Sequence, residues 1–552
     1  MQNLHGFLDL TQPLYPSLML ENCHSHPYQG CLFSLSIDGS CAHTREELLN
    51  SYHKLGSEFI CQENGHFSIV LWDGAKNQLL LYRDRVGVKP CFYMLDGAKL
   101  AFASLPEDLF ALTGTKPSLD VDALPELLAI GPARVPGYGL FQNVQELLPG
   151  QYLIFSPEGL QVHTYWSLEA KLHEENYEDT CAYVAHLLED SIGMQLSEAS
   201  VPCSLLSGGI DSSIVTAIAS KHPAFTDTPL SSFSFDFTGN TTYFAPSSFQ
   251  PEQDASYIAK MLQAYPLNHT PLECSPTQLA TLLPQAMKAR NYPGMADIDA
   301  SLLYFCSRIA STHHAALTGE CADEIFGGYP WYYKPELFQL DQFPWSWDFG
   351  SRCNFLNPDL FPKQRLEEYA HHYFTTTMRE APIISEESMV ATRHRQLTYL
   401  NLHWFMQTLL ERMDRMGRFC GLEGKVPFAD HRILEYLYNV PWEMKYKNGI
   451  EKALLRDAFK TLLPLEILHR KKSPYPKTYH PDYDAAIIQL FLQLIQDPTA
   501  PIQHLIHPAA AFEFVQNYKS MGRPWYGQLM TGIQLIAYFI QINDWLLEYH
   551  LL

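Results

Sequence analysis

The run Ser207-Gly208-Gly209-Ile210-Asp211-Ser212-Ser213 has the residue types and spacing of a phosphate cradle. It follows Val201-Pro202-Cys203-Ser204-Leu205-Leu206, whose apolar character predicts a buried strand. It precedes Ile214-Val215-Thr216-Ala217-Ile218-Ala219, which predicts the first turns of a helix. A strand that breaks at two glycines and restarts as a helix presents unpaired backbone N–H groups at the positive end of a helix dipole. That end suits a phosphate or pyrophosphate. Glycine lets the backbone approach the anion with no Cβ in the way, and Ser207, Ser212 and Ser213 add hydroxyls. Asp211 is out of place among phosphates unless it holds Mg²⁺ between them. A bare Ser-Gly-Gly reads as an ordinary turn. The full run after a buried strand is more specific, and it differs from the Walker spacing.

The elements that must position this loop belong to a large chain. Its 552 residues allow two or three domains, and 46% hydrophobic content supports large cores. A net charge of −22 argues against a nucleic-acid or anionic-membrane surface. Any polyphosphate must therefore be held by local devices. The 12 cysteines are scattered with no Cys-x-x-Cys pair, which predicts a reduced, cytoplasmic protein without zinc or disulfides. The N-terminal residues lack the pattern of a signal peptide. The longest apolar run, 533–547, carries Gln534, Gln541, Asn543 and Asp544 and predicts a packed helix, not a membrane span.

Residues up to about 165 read as mostly β. Strands are predicted at 67–72 and 78–82 around the hairpin Asp73-Gly74-Ala75-Lys76-Asn77, and again near 91–95 and 100–103. Helices are predicted from about residue 176. From there short apolar strands alternate with helices, with a second strand at 231–235 and a third ending at Leu317-Thr318. That order predicts a parallel sheet with a nucleotide at the carboxyl ends of its strands.

The 207–213 loop resembles the pyrophosphate loop of ATP-pyrophosphatases, which adenylate a carbonyl or carboxylate. Gly65-His66-Phe67-Ser68-Ile69-Val70-Leu71-Trp72-Asp73 and Arg83-Asp84-Arg85-x-Gly87-x-Lys89-Pro90 resemble the glutamine amidotransferase domain of asparagine synthetases. Four later blocks resemble the synthetase half of the same family: Thr318-Gly319-Glu320-Cys321-Ala322-Asp323-Glu324-Ile325-Phe326-Gly327-Gly328-Tyr329, Asp414-Arg415 with Val426-Pro427-Phe428, Glu451-Lys452-x-Leu454-Leu455-Arg456 and Arg470-Lys471-Lys472-Ser473-Pro474. The resemblance implies an α+β, Ntn-hydrolase-like domain over 1–170. It implies an α/β ATP-pyrophosphatase domain, of the adenine nucleotide alpha hydrolase-like kind, over 171–552. It places Leu205, Ser207, Gly208, Gly209, Asp211, Ser212, Phe235 and Gly319 near ATP, with Leu205 and Phe235 in contact through backbone. It makes Asp211 and Asp323, each expected at a strand end, the Mg²⁺ carboxylates, and Glu320 the acid that steers ammonia or accepts a proton. Lys452 is the cation expected to stabilise charge as the α-phosphorus is attacked. Lys452 also fits a solvated helix lysine, and Lys471 and Lys472 are further candidates for the same role, although a basic pair near Pro also reads as surface.

Two regions depart from the family. A glutaminase of this kind uses an N-terminal Cys. Here the corresponding start is His5-Gly6-Phe7, the segment that should carry the glutamine pocket is shortened, and Thr44 stands where a glutamine-binding Asp belongs. Cys23 and Cys31 read as small core residues. The domain is expected to be a scaffold without glutaminase activity. In the acceptor block, Asp414-Arg415-Met416-Gly417-Arg418 replaces a Ser with Gly417 and a Met with Arg418. If these line the pocket, they add space and a cation; neutral drift is the other reading. The stretch 237–254 and the aromatic-rich 331–349 predict loops over the site, whose Tyr332, Tyr333, Trp345 and Trp347 either cover substrate or pack on one another.

The expected activity is ATP-dependent amide formation: a carboxylate, aspartate first, becomes an acyl-adenylate with release of pyrophosphate, and ammonia or another amine displaces AMP. A separate ammonia source and a homodimer are consistent with this. The alternatives are a specialised amide ligase using another amine, as in β-lactam synthetases and lasso-peptide cyclases, and an inactive nucleotide-binding protein.

Overall fold

The computed structural model describes residues 3–12, 17–21, 23–28, 31–196, 201–244 and 252–551. It divides into two compact units. One comprises Met1–Ala123 with Val135–Leu168 and Tyr549–Leu551; the other comprises Leu124–Arg134 with Glu169–Glu548.

The first unit is built on two antiparallel sheets. Strands β1 (His5–Asp9), β2 (Ser17–Leu20), β3 (His24–Tyr28), β4 (Cys31–Cys41), β5 (Gly65–Asp73), β6 (Gln78–Arg83), β7 (Phe92–Asp96), β8 (Lys99–Ala103), β9 (Gln145–Glu146), β10 (Gln151–Ser156) and β11 (Gly159–Thr164) run in the orders β2-β1-β8-β7-β9 and β11-β10-β6-β5-β4-β3. Successive strand residues face opposite sides, and the two sides of β5 and β6 are buried in different cores. Val70, Trp72, Leu79 and Leu81 pack with Leu8, Leu100 and Phe102 of the other sheet. Ile69, Leu71, Leu80 and Tyr82 pack under Leu48, Leu49 and Tyr52 of helix α1 (Arg45–Leu55). With both faces covered, these strands must be apolar throughout, which is why they read so clearly in the sequence.

The Arg83–Pro90 block is a backbone clamp. The Asp84 carboxylate accepts from the N–H groups of Val86 (3.0 Å), Gly87 (2.7 Å), Val88 (3.1 Å) and Lys89 (2.9 Å). Arg83 pairs with Glu146 at 2.9 Å. Helix α1 starts at Thr44, whose hydroxyl accepts from Glu47 N (3.3 Å) while Glu47 Oε2 accepts from Thr44 N (2.8 Å). That reciprocal cap fixes the start of the helix.

The second unit carries a parallel sheet of β12 (Cys203–Leu205), β13 (Leu230–Phe237), β14 (Leu267–Cys274), β15 (Ala315–Leu317) and β16 (Glu423–Lys425), ordered β14-β13-β12-β15-β16. Strand β12 is shorter than the 201–206 predicted, because Val201 is exposed and Pro202 has no N–H to give the ladder. Among its helices are α2 (Tyr177–Leu196), α3 (Ile210–Ser220), α4 (Asp297–Ala310), α5 (Ala322–Phe326), α6 (Met406–Cys420), α7 (Ala453–Ala458) and α8 (Gly532–Glu548). The strand order turns at β12, with β13 and β14 to one side and β15 and β16 to the other. The crevice at such a turning point is where open α/β sheets bind ligands. Helix α8 is buried along its length as expected. Two of its polar residues find partners inside: Gln534 donates to Asp297 (3.1 Å) and Gln541 to the Leu283 carbonyl (3.2 Å). Among the described residues no helix is long and apolar enough to cross a membrane.

Candidate active site

A cavity of about 240 Å³ opens at the carboxyl ends of β12, β13 and β15. Its wall includes Leu205, Ser207, Gly209, Asp211, Ser212, Phe235, Gly319, Glu320 and Asp323, so the structure brings most of the predicted residues to one place. Gly208 shapes the loop without lining the cavity. Its φ of +69° is left-handed, and a Cβ there would sit 2.7 Å from Tyr257 Cβ. Gly319 lies against the same loop, where a Cβ would come within 2.7 Å of Ser212 N. The Ser212 hydroxyl is a staple inside the loop, bonded to Ser207 N (3.2 Å) and Ser207 Oγ (3.0 Å). Ser213 is fully buried away from the cavity wall and does not supply the hydroxyl expected of it. No side chain caps the first turn of α3, which leaves that dipole end to a ligand.

Asp211 and Asp323 are not at strand ends. Each lies in the first turn of a helix, α3 and α5, several residues past β12 and β15. The intervening turns carry the glycines, and they swing both carboxylates to one point. Lys452 joins them: its Nζ lies 2.6 Å from Asp211 Oδ2 and also contacts Asp323 Oδ1. Lys472 Nζ donates to Asp323 Oδ2 at 2.6 Å. Lys452 is 2% exposed and sits behind the cavity wall, so it is not a solvated helix lysine. It holds a left-handed φ of +54°, and Cys321 holds +75°. Such backbone costs about 1–3 kcal/mol per residue and persists where the surroundings impose it. Gly328 makes room for the lysine, since a Cβ there would come within 2.0 Å of Asp323 Oδ1 and 2.4 Å of Lys452 Cε.

The charges are mutually set. Burial opposes ionisation of Asp323, yet Lys452 and Lys472 outweigh it and hold its pKa at about 2. Burial opposes the charge on Lys452, and the two aspartates override it and raise its pKa. Asp211, with one lysine in direct contact, is raised by burial. Glu324 is pushed up to about 7 by burial and by Asp323, and its Oε1 accepts from the Tyr329 hydroxyl at 2.6 Å.

The metal expectation can be tested on these atoms. Asp211 Oδ1 is buried with no hydrogen-bond partner. A pair of carboxylates with an oxygen to spare fits Mg²⁺, which takes few protein ligands when phosphates and water supply the rest. Among the described residues no cluster of three or more His, Cys, Asp or Glu forms a self-sufficient metal site.

Further residues complete the wall. Arg470 donates to the Ser207 carbonyl at 3.0 Å, pairs with Asp254 and lies 4.2 Å over the Tyr257 ring, so it braces the phosphate loop from outside. Of the two further lysine candidates, Lys472 lines the cavity and Lys471 is exposed. Phe405, Leu409, Arg412 and Met413 all line the cavity. Their i, i+4, i+7, i+8 spacing puts them on one helix face, a signal present in the sequence. A π-helical turn at Asn401–Phe405 directly precedes α6 and helps set that face; such turns recur at functional sites.

Of the two readings of the acceptor block, the one that puts Gly417 and Arg418 in the pocket does not hold in the structure. Arg418 is buried on its own helix, paired with Asp414 at 3.1 Å, and neither it nor Gly417 lines the cavity. Gly417 is required by close packing: a Cβ would lie 2.4 Å from the Leu422 carbonyl. Within 331–349 Trp331 packs 5.8 Å from Trp345, while Tyr332 and Tyr333 stack outside the stretch, on Trp442 at 5.7 Å and Tyr446 at 5.2 Å. Of the stretch 237–254, a short helix at Asn240–Tyr243 is seen, and 245–251 lie outside the described residues.

Comparison with known proteins gives the same reading as this geometry. The family described as asparagine synthase matches residues 183–547, and the glutamine amidotransferase domain matches 40–166. The chain belongs to the asparagine synthase family. Asparagine synthetase [glutamine-hydrolyzing] 3 of Bacillus subtilis (strain 168) is 39% identical over 508 residues, covering 92% of this chain and 82% of that protein. Amidase chry2 of Gibberella zeae is 27% identical over 517 residues, covering 79% and 73%. The chain is an ATP-dependent carbon–nitrogen ligase, with a glutamine amidotransferase domain ahead of its synthetase domain.

Proposed function

We propose that the chain adenylates the side-chain carboxylate of aspartate and passes the acyl group to ammonia, releasing AMP and pyrophosphate, without hydrolysing glutamine itself. The observation that carries the reading is the meeting of Asp211, Asp323, Lys452 and Lys472 at the uncapped start of α3.

The uncapped N–H groups of α3 would hold the pyrophosphate portion of ATP, with Ser207 and Gly209 alongside. Asp211 and Asp323 would hold Mg²⁺, which supplies charge neutralisation and orientation of the phosphates when bound. The incoming polyphosphate offers Lys452 and Lys472 new anionic partners. Attack by a carboxylate oxygen on the α-phosphorus breaks the bond to the β-phosphate bridge, and a cation fixed there favours the transition state over the ground state. Glu320, on the cavity wall, would then take the proton shed by the amine.

Loss of glutaminase activity is supported inside the first unit, where His5 starts β1 and the β4–α1 connection is short and self-satisfied. Glu63 Oε1 accepts from His43 N (3.2 Å) and also from Ala42 N (2.5 Å), and Glu63 Oε2 lies 2.8 Å from His43 Nδ1. Thr44 is used as a helix cap. Cys23 is half-buried, and the side chain of Cys31 lies outside the described residues. On this reading the chain would draw on a separate ammonia source in a cytoplasmic setting.

A second reading, a larger or less polar acceptor, is favoured by one observation. The cavity wall includes the apolar side chains of Met295, Phe405, Leu409, Met413 and Leu529.

The deciding experiment incubates the chain with ATP, Mg²⁺ and a panel of carboxylates, ammonium and amines. AMP, pyrophosphate and asparagine are expected from aspartate plus ammonium. ADP as the nucleotide product, or glutamate released from glutamine, overturns the reading. A product from another acid–amine pair alone moves it to the second reading.

A further inference from the structure

Glu320 is held by one residue that the family-like blocks do not contain. Arg412 Nη2 donates to Glu320 Oε1 at 3.0 Å, and Arg412 is itself 5% exposed. Its guanidinium lies 5.1 Å over the Tyr475 ring, and Tyr475 stacks on Phe235 at 6.1 Å, so the arginine is fixed on an aromatic shelf of the cavity wall. Glu320 N donates to Thr318 Oγ1 at 3.2 Å, which fixes its backbone from the β15 side. With Oε1 occupied, Oε2 is buried and has no hydrogen-bond partner. A buried carboxylate oxygen without a partner is costly and calls for a ligand or a function.

We propose that Arg412 is a positioning residue for Glu320 in the second half of the reaction: it locks one carboxylate oxygen in place, so that the other oxygen is held free to receive the proton of the amine. The inference rests on the adenylation reading above. In that step the amine nitrogen forms a bond to the acyl carbon, the bond from that carbon to the AMP oxygen breaks, and AMP leaves with the electron pair. The surplus proton on nitrogen passes to Glu320 Oε2. An arginine suits this task because its fork is planar and always charged, whereas a lysine makes a single movable contact.

The groups facing Glu320 set the pH dependence. They are Arg412 on α6, Asp299 on α4, Cys306 on α4 and Cys321 in its own loop, with Tyr475 beyond Arg412. Burial raises the Glu320 pKa, Asp299 adds to the rise, and Arg412 counters both. The thiols of Cys306 and Cys321 are pushed well above their ordinary range by burial and stay neutral. Removing Arg412 therefore moves Glu320 upward, and the acid limb of the amide-forming step moves with it to higher pH.

The test compares wild type, Arg412→Met and Arg412→Lys in two assays on the full chain: ATP–pyrophosphate exchange with aspartate, and single-turnover asparagine formation with ammonium from pH 6 to 9. Arg412→Met is expected to lower amide formation at least about ten-fold more than it lowers exchange. It should also shift the acid limb upward, with Arg412→Lys restoring part of both. Equal loss in the two assays in both variants, or an unmoved acid limb in Arg412→Met, overturns the proposal. Should wild type show no carboxylate-dependent exchange at all, the adenylation reading falls first and takes the inference with it.

Discussion

The Glu63 turn in the first unit and the Asp211 cluster in the second are both buried, acidic and built beside a helix start, yet they are finished differently. Around Glu63 each carboxylate oxygen is used by the turn it closes, through Ala42, His43 and the His43 ring. Around Asp211, a carboxylate oxygen of Asp211 and another of Glu320 are buried without partners, and Cys321 and Lys452 hold left-handed backbone. Folding alone does not favour either feature, since unpaired buried oxygens and strained φ both cost stability. The difference teaches that the second unit is organised to receive something and that the Glu63 region is organised to hold itself together.

The sharpest break in that comparison comes from the charges. Lys452→Met or Asp211→Ala should lower ATP–pyrophosphate exchange about a hundred- to a thousand-fold, read by radiolabelled pyrophosphate incorporation. A loss under about three-fold would mean the cluster is structural, like its counterpart. Gly328→Ala comes next. The added Cβ drives Asp323 and Lys452 apart, and a displacement of that order should cost about a hundred-fold in exchange with the thermal transition nearly unchanged.

On the other side, Glu63→Gln should destabilise the first unit by about 1–3 kcal/mol in urea unfolding while leaving exchange within about two-fold. Neither wild type nor variant should release glutamate from glutamine. The smallest effect concerns Lys445, which is 5% exposed and whose pKa burial lowers to about 7. Between pH 7 and its ordinary 10.5 the unfolded chain binds a proton that the folded chain does not, so stability attributable to this group climbs with pH over that window. Lys445→Met should therefore stabilise by about 1 kcal/mol or more at pH 7, and the gain should shrink toward pH 10 in melting curves at the two pH values.

Much of this was legible in the residues themselves. The apolar runs at 67–72 and 78–82, the strand–loop–helix around 207–213 and the packed helix over 533–547 follow from local composition and periodicity, which act over a few residues. The phosphate loop and the pairing of Asp211 with Asp323 were readable because each is carried by a short motif. The Arg412 wall was present as an i, i+4, i+7, i+8 pattern, but apolar helix faces usually mean core, and nothing local says that this one faces a cavity.

What the sequence by itself determined is the chemistry on offer: a glycine-flanked helix start, two aspartates, a glutamate and a lysine, in blocks that resemble one family. Only the tertiary structure decided their company. It placed Lys452 behind two carboxylates 129 or more residues away in the chain, brought in Lys472, Arg412 and Arg470, and sent Arg418 and Ser213 elsewhere. The reason is range: propensity and capping are settled within a turn or two, whereas charge neutralisation and packing depend on which distant segments the sheet order and helix faces bring within a few ångströms.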